Sequence, residues 1–134
     1  FIPDSMNPQL RARPWITKLN VSSAPRGKVH WYRDYSTNLI KSWNEKIDLL
    51  FIDGDHTEEA CQKDWDDWSP YVVEGGIVIF HDAKYGSSKG EYWDGFEGPT
   101  NVVHRLFRSQ EKLKNWQIVD EAETAVAVQK VGVA

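Results

Sequence analysis

The sequence predicts an α/β fold in which short strands alternate with helices in a mostly parallel sheet. Two apolar runs indicate the central strands, Ile47–Asp53 and Ile77–His81, because both are too short for a typical helix and rich in branched residues. Continuous apolar runs of this kind are typical of strands that are buried on both faces of a parallel sheet. The alternation of such strands with helices favours parallel pairing through right-handed crossovers.

The elements before the first central strand are predicted from weaker patterns. Val29–Asp34 is rich in β-branched and aromatic residues, which favours a strand. Ser36–Trp43 then has apolar residues at helical spacing. Four prolines in residues 1–28 exclude one long helix there, although a short helix from about Pro14 to Ser22 fits the pattern.

The helix that follows the first central strand is predicted over Thr57–Ser69. Thr57 suits the N-cap position, and the acidic residues of the first turn suit the positive end of the helix dipole. Cys61, Trp65 and Trp68 fall at positions i, i+4 and i+7 and therefore form one buried stripe. Cys61 is accordingly predicted to be a core residue and not a nucleophile.

The last third of the chain is predicted to contain a long loop, a helix and a hairpin. Residues 84–99 alternate glycines with aromatic residues such as Trp93, and loops of this length in compact domains are usually functional or disordered. We interpret this loop as a substrate loop or lid. A helix over Thr100–Ser109 follows, and the alternating runs Trp116–Glu121 and Thr124–Lys130 predict an antiparallel C-terminal hairpin.

Length and charge set limits on the class of protein. The 134 residues fit one small domain, 1–134. The net charge of −4 argues against nucleic-acid binding, which requires a basic surface. No apolar run approaches the roughly 20 residues that cross a bilayer. The single cysteine excludes an intrachain disulfide and favours a reducing compartment, so we expect a cytoplasmic protein without nucleic-acid or membrane partners.

Acidic and imidazole side chains stand where the two central strands end. Asp53, Asp55 and His56 follow the first strand, and His81 and Asp82 close the second. Ligands of parallel sheets bind in the crevice beyond the carboxyl ends of the strands, so we expect these residues to form one site. Each residue alone could cap a helix or close a turn, and the joint pattern is therefore the stronger signal.

The residue types at these strand ends suit a divalent metal ion and a general base. Asp53 and Asp82 offer the carboxylate oxygens that Mg²⁺ prefers. His81 is a more natural ligand for a transition metal, or else it lies just outside the ligand set. His56 carries an imidazole, the side chain most often used as a general base.

The stretch between these strand ends resembles a known enzyme family. The letters IDGDH close the first central strand, and GGIVIFHDA contains the second. At this spacing they resemble class I S-adenosylmethionine-dependent methyltransferases, in particular the group whose fourth strand ends in IDGDH and whose fifth reads GG-I-V-x-x-HD. The resemblance covers roughly residues 29–83, and it implies a Rossmann-like methyltransferase sheet with a reversed last strand.

The resemblance implies methyl transfer from S-adenosylmethionine to a hydroxyl of a small molecule. It also implies that Asp53 and Asp82 bind Mg²⁺ or another divalent metal, with His81 where related metal-dependent O-methyltransferases have an acid. His56 matches the base that takes the hydroxyl proton of the acceptor.

The same resemblance implies where the cofactor binds. Asp34 falls at the position that contacts adenine in the family, and Tyr35 and Ser36 are its neighbours. Asp53 is expected to contact the cofactor as well.

The sequence departs from the family at its start. The family's Gly-rich loop after the first strand has no counterpart, and a clear second strand is missing. We therefore expect a partial, N-terminally truncated methyltransferase domain, or one whose missing strands come from a partner chain. Homo-oligomerisation stays open.

Two other functions also stay open. Asp53-Gly54-Asp55 is an acid-x-acid triplet of the kind with which nucleotide-sugar glycosyltransferases hold a metal and a diphosphate. That interpretation gives the His81-Asp82 pair no role. The second alternative is a non-catalytic remnant that only binds a partner, which predicts no cofactor binding at all.

Overall fold

The computed structural model describes residues 27–84 and 96–132. The chain divides after Arg33 into two compact units, and the description below concerns the second, which begins at Asp34. The strands described in it are β1 (Ile47–Ile52), β2 (Val72–Phe80), β3 (Trp116–Ala122) and β4 (Ala125–Lys130). The helices described in it are α1 (Ser36–Leu39), α2 (Glu58–Trp68) and α3 (Glu97–Val103). The predicted helix at Pro14–Ser22 and the loop residue Trp93 lie outside the described residues.

The strands form a mixed sheet in the order β1-β2-β4-β3. β1 and β2 are parallel, whereas β4 is antiparallel to both β2 and β3. The strands β1, β2 and β3 therefore run in one direction, and β4 is reversed between β2 and β3. The α/β class and the C-terminal hairpin are confirmed. The prediction of a mostly parallel sheet is correct in that three of the four described strands run in the same direction. It is wrong for the hydrogen-bonded neighbours, because β1–β2 is the one parallel pair among the described strands.

One face of β1 is more exposed than predicted. Leu50 and Ile52 pack against the core, but Leu49 and Phe51 on the opposite face are 60% and 55% exposed. The prediction of a strand buried on both faces is therefore wrong for the described part of the chain. An apolar run shows that a strand can be buried, but it does not show which of its faces is covered.

β2 begins at Val72, well before the predicted start at Ile77. A short 3₁₀ turn, Ser69–Tyr71, precedes the strand, and the first part of the strand is irregular. Gly75 has a φ of +82°, a left-handed conformation that suits glycine. The register between β1 and β2 shifts in the same region, so the glycine marks an irregularity inside the strand and not its beginning.

The predicted strand Val29–Asp34 is wrong. Residues 27–33 are exposed and irregular. Strand propensity expresses how well a residue fits a pleated, half-buried surface, and composition alone therefore does not make this segment a strand. The predicted helix that follows is present as α1, which continues into a 3₁₀ turn, Ile40–Ser42.

α2 supplies the centre of the core. The predicted stripe is buried, and its members are Cys61, Trp65 and Trp68. The Trp65 ring contacts Phe80 of β2, Phe107 after α3 and Trp116 of β3, with centroid separations of 5.7, 5.2 and 4.7 Å. Trp65 therefore joins the helix layer to both halves of the sheet, and aromatic contacts at these distances stabilise the core beyond simple burial.

Burial makes Cys61 chemically inert. Loss of solvent around the thiol raises its pKa to about 12, and only the thiolate is reactive. We expect the folded protein not to react with a thiol reagent such as dithionitrobenzoate near pH 8, and to release one equivalent of chromophore after unfolding in urea. Rapid reaction of the folded protein would contradict the described packing of α2.

α3 begins at Glu97 and continues as a π-helical turn, His104–Arg108, so it starts earlier than the predicted Thr100. Arg105 links it to α2, because its Nη1 donates to Glu58 Oε1 at 2.6 Å and its Nη2 to Gln62 Oε1 at 2.6 Å. The bond from Arg105 holds the pKa of Glu58 below its ordinary value. α3 is thereby fixed against the first turns of α2. Every helix in the described ranges is too short or too polar to cross a membrane.

Candidate functional site

Four of the predicted site residues meet beyond the carboxyl ends of β1 and β2. These two strands are parallel neighbours, with Ile52 opposite Phe80, so their ends lie side by side. The His81 N–H donates to the Ile52 carbonyl at 3.0 Å, which extends the pairing by one residue. The cluster consists of Asp53, His56, His81 and Asp82.

The His81 imidazole lies between two carboxylates. Its Nδ1 is 3.1 Å from Asp53 Oδ1 and 3.1 Å from Asp82 Oδ2. The contact with Asp53 has hydrogen-bond geometry, and Nδ1 donates in it when that nitrogen carries the proton. One ligand atom from each of Asp53, His81 and Asp82 lies within 4.8 Å of the others. Ligands at about 2.0 to 2.6 Å from one cation have separations of this size.

His56 contributes a shielded nitrogen to the cluster. Its Nε2 lies 3.1 Å from Asp82 Oδ2 and 4.0 Å from Asp53 Oδ1. The nitrogen is buried, yet neither contact has hydrogen-bond geometry, and no other partner is found in the described part of the chain. Buried polar atoms normally have a hydrogen-bond partner. A shielded nitrogen directed at two carboxylates therefore needs a functional explanation.

The beginning of α3 holds His56 in place. The Phe96 ring stacks on the His56 ring, with centroids 4.0 Å apart and planes 2° from parallel. The Phe96 N–H also donates to the Asp82 carbonyl at 2.9 Å. Gly98 packs against the backbone of residue 56, because a Cβ at Gly98 would lie 2.2 Å from the His56 carbonyl oxygen. Phe96 fell within the predicted loop 84–99, where its only signal was its place among glycines.

Asp82 has a strained backbone that turns it into the cluster. Its φ is +54°, in the left-handed region, which costs a non-glycine residue roughly 1 to 2 kcal/mol. The turn between β3 and β4 contacts Asp82 and the residue that follows it. The Ala83 N–H donates to the Thr124 carbonyl at 2.8 Å, and Thr124 Oγ1 donates to Asp82 Oδ1 at 3.1 Å.

Asp55 does not join the cluster in the described contacts. Its Oδ1 accepts a bond from the Thr57 N–H at 2.8 Å, and this bond holds the pKa of Asp55 below its ordinary value. Thr57 Oγ1 in turn accepts a bond from the Ala60 N–H, which confirms the predicted N-cap of α2. The triplet Asp53-Gly54-Asp55 therefore presents only its first carboxylate to His81.

Asp34 and Tyr35, two of the four predicted cofactor-binding residues, directly precede α1. Asp34 Oδ1 accepts bonds from the Tyr35 N–H at 2.8 Å and from Asn38 Nδ2 at 3.2 Å, so this oxygen is engaged just before the helix. The Tyr35 side chain is 79% exposed. This segment therefore combines a carboxylate with one fixed oxygen and an aromatic ring that is open to solvent.

Ser36 connects this segment to the cluster through α2. Its Oγ donates to Asp64 Oδ1 at 2.6 Å. The other oxygen of Asp64 lies against Gly54, where a Cβ would be 3.3 Å from it. The acidic residues of α2 are expected to face water, but Asp64 is partly buried in this position. The start of α1 thus lies beside the residue that follows Asp53.

A comparison with known protein families gives a match for this chain. A family model described as a methyltransferase domain matches residues 4–83, which is more than half of the chain. The chain belongs to the methyltransferase domain family. The matched range includes all predicted site residues of this methyltransferase, whereas Phe96, Gly98 and Thr124 lie beyond it. It also begins well before residue 29, where the resemblance in the sequence was placed. The match does not favour the glycosyltransferase alternative.

Proposed function

We propose that this methyltransferase transfers the methyl group of S-adenosylmethionine to a hydroxyl of a small molecule, assisted by a divalent metal ion and with His56 as the general base. One observation carries the proposal. Two carboxylates and two imidazoles meet at the strand ends, and the shielded Nε2 of His56 is directed at the carboxylates.

The donor set fits a divalent cation. Asp53 and Asp82 provide the oxygen ligands that Mg²⁺ prefers, and the His81 imidazole also suits Mn²⁺ and later transition metals. The three ligand atoms are close enough to share one ion, and Asp53 and His81 remain partly exposed, which leaves access for an acceptor. When bound, the ion would favour the ionised form of the acceptor hydroxyl, and S-adenosylmethionine would provide an electrophilic methyl group on its sulfonium.

In this proposal, His56 removes the proton from the acceptor hydroxyl through Nε2. The adjacent Asp82 Oδ2, 3.1 Å away, stabilises the imidazolium that forms. Phe96 limits rotation of the ring, because the stacked planes keep Nε2 directed into the cluster. With S-adenosylmethionine bound, the acceptor oxygen would take the methyl group and the electron pair of the C–S bond would go to sulfur. His56 would then release its proton to solvent.

The fit to the methyl donor differs among the predicted residues. Tyr35 has the open aromatic surface that stacking on adenine requires. Asp34 Oδ1 already accepts bonds from the Tyr35 N–H and Asn38 Nδ2, so Oδ2 is the oxygen that would accept a bond from the cofactor. The Ser36 hydroxyl is engaged with Asp64, and we expect this residue to contribute through its backbone. Asp53 faces His81, and we assign it to the metal before the cofactor.

Calorimetry separates this proposal from its alternatives. We expect the intact protein to bind S-adenosylhomocysteine, and to bind Mn²⁺ with an affinity that falls at least about tenfold in the Asp82→Asn variant, because a ligand charge is lost. Uridine diphosphate with Mn²⁺ should give no additional heat. Binding of the diphosphate without S-adenosylhomocysteine would favour a glycosyltransferase. Absence of binding by every ligand would favour the non-catalytic remnant.

A further inference from the structure

We propose that Thr124 is a positioning residue for Asp82, so that the turn between β3 and β4 sets the geometry of the carboxylate cluster. This inference rests on the proposed function in one respect, because that function assigns the Asp82 carboxylate a chemical role. Thr124 lies 42 positions after Asp82 and outside the range that matches the methyltransferase family.

Thr124 is buried in a way that is unusual for its residue type. It is the one buried polar side chain within residues 27–84 and 96–132. Its hydroxyl faces Asp82 Oδ1 at 3.1 Å. An ionised carboxylate can only accept, so the hydroxyl is the donor in this bond. A hydrogen bond from a shielded donor to a charged acceptor belongs to the stronger class.

The two oxygens of Asp82 have separate roles as a result. Oδ1 is occupied by Thr124. Oδ2 lies 3.1 Å from His56 Nε2 and 3.1 Å from His81 Nδ1. Rotation of the carboxylate would exchange or withdraw these oxygens, and the bond to Oδ1 opposes that rotation. The hydroxyl of Thr124 thus determines the position of Asp82 Oδ2, the oxygen that faces His56 and His81.

The hairpin does not need this hydroxyl in order to dock. The Thr124 carbonyl accepts a bond from the Ala83 N–H at 2.8 Å, and β4 pairs with β2 along Ile77–Phe80. Both interactions use the backbone and are independent of the side chain. Removal of the hydroxyl should therefore leave the sheet intact and release only the carboxylate.

Two substitutions in the intact protein test this role. Thr124→Val keeps the branched shape but loses the donor, whereas Thr124→Ser keeps the donor. We expect valine to weaken Mn²⁺ binding about 10- to 100-fold, the usual effect of losing a partner of a metal ligand, and serine to restore most of the affinity. Long-range ¹H–¹⁵N spectra of the imidazoles, recorded without metal, should change for His56 and His81 in the valine variant and match the parent in the serine variant.

The outcomes of this experiment decide the role of Thr124 separately from the presence of a metal ion. Unchanged imidazole spectra and Mn²⁺ affinity in the valine variant would overturn the inference. A parent protein that binds no Mn²⁺ would refute the metal in the proposed function, and the imidazole spectra alone would then decide the role of Thr124. Thr124→Ala serves as a second variant, because a defect seen with valine but not with alanine would reflect packing and would also overturn the inference.

Discussion

Replacing His56 with alanine should lower the rate of methyl transfer by about 10²- to 10⁴-fold, the usual contribution of a general base. The variant loses the imidazole whose shielded Nε2 is directed at Asp82. It retains the described contacts of Asp53, His81 and Asp82, so binding of Mn²⁺ and S-adenosylhomocysteine should change little. The rate is measured as transfer of labelled methyl from S-adenosylmethionine to a panel of phenols, catechols and sugars.

Two further histidine variants make this result specific. His104→Ala removes an exposed imidazole from the π-helical turn after α3 and should leave turnover unchanged. His81→Ala should weaken Mn²⁺ binding, since this imidazole is one of the three candidate ligands. Turnover in His56→Ala equal to that of the parent protein would exclude His56 as the base, whatever the other two variants show.

The clustering of the candidate site residues could be predicted because it depends on local rules. An apolar strand that ends in Asp53, and a second that ends in His81 and Asp82, must bring these side chains to one edge if the two strands are parallel neighbours. β1 and β2 are such neighbours. The burial of Trp65 followed in the same way from helical spacing within one segment.

The parts that could not be predicted depend on contacts between distant segments. Phe96 looked like a loop aromatic, and only the packing of α3 on α2 shows that its ring covers His56. Thr124 looked like a hairpin residue, and its bond to Asp82 depends on β4 lying next to β2. The strand prediction for Val29–Asp34 failed because composition alone does not make a strand, and residues 27–33 are irregular and exposed.

The contact between α3 and the start of α2 predicts that Gly98→Ala is one of the most damaging glycine substitutions in the described part of the chain. The added Cβ would lie 2.2 Å from the His56 carbonyl oxygen, 2.7 Å from the Glu58 nitrogen and 2.9 Å from the Thr57 carbonyl carbon. All three are backbone atoms, so they cannot rotate away as a side chain can. We expect the free energy of unfolding in urea to fall by about 1 to 3 kcal/mol, as is typical of overpacking.

Gly132→Ala is the matched control for this prediction. Its Cβ would also come close to another atom, at 2.5 Å, but that atom is the terminal Oε1 of Glu74, which can move at little cost. We expect less than about 0.5 kcal/mol there, as at most surface positions. Equal stability of the two variants would contradict the described packing of α3 on the His56–Glu58 backbone. Phe96 and Gly98 approach His56 from one short segment, so the contact that holds α3 is also expected to hold the base. Gly98→Ala should therefore lose methyl transfer together with stability, whereas Gly132→Ala should lose neither.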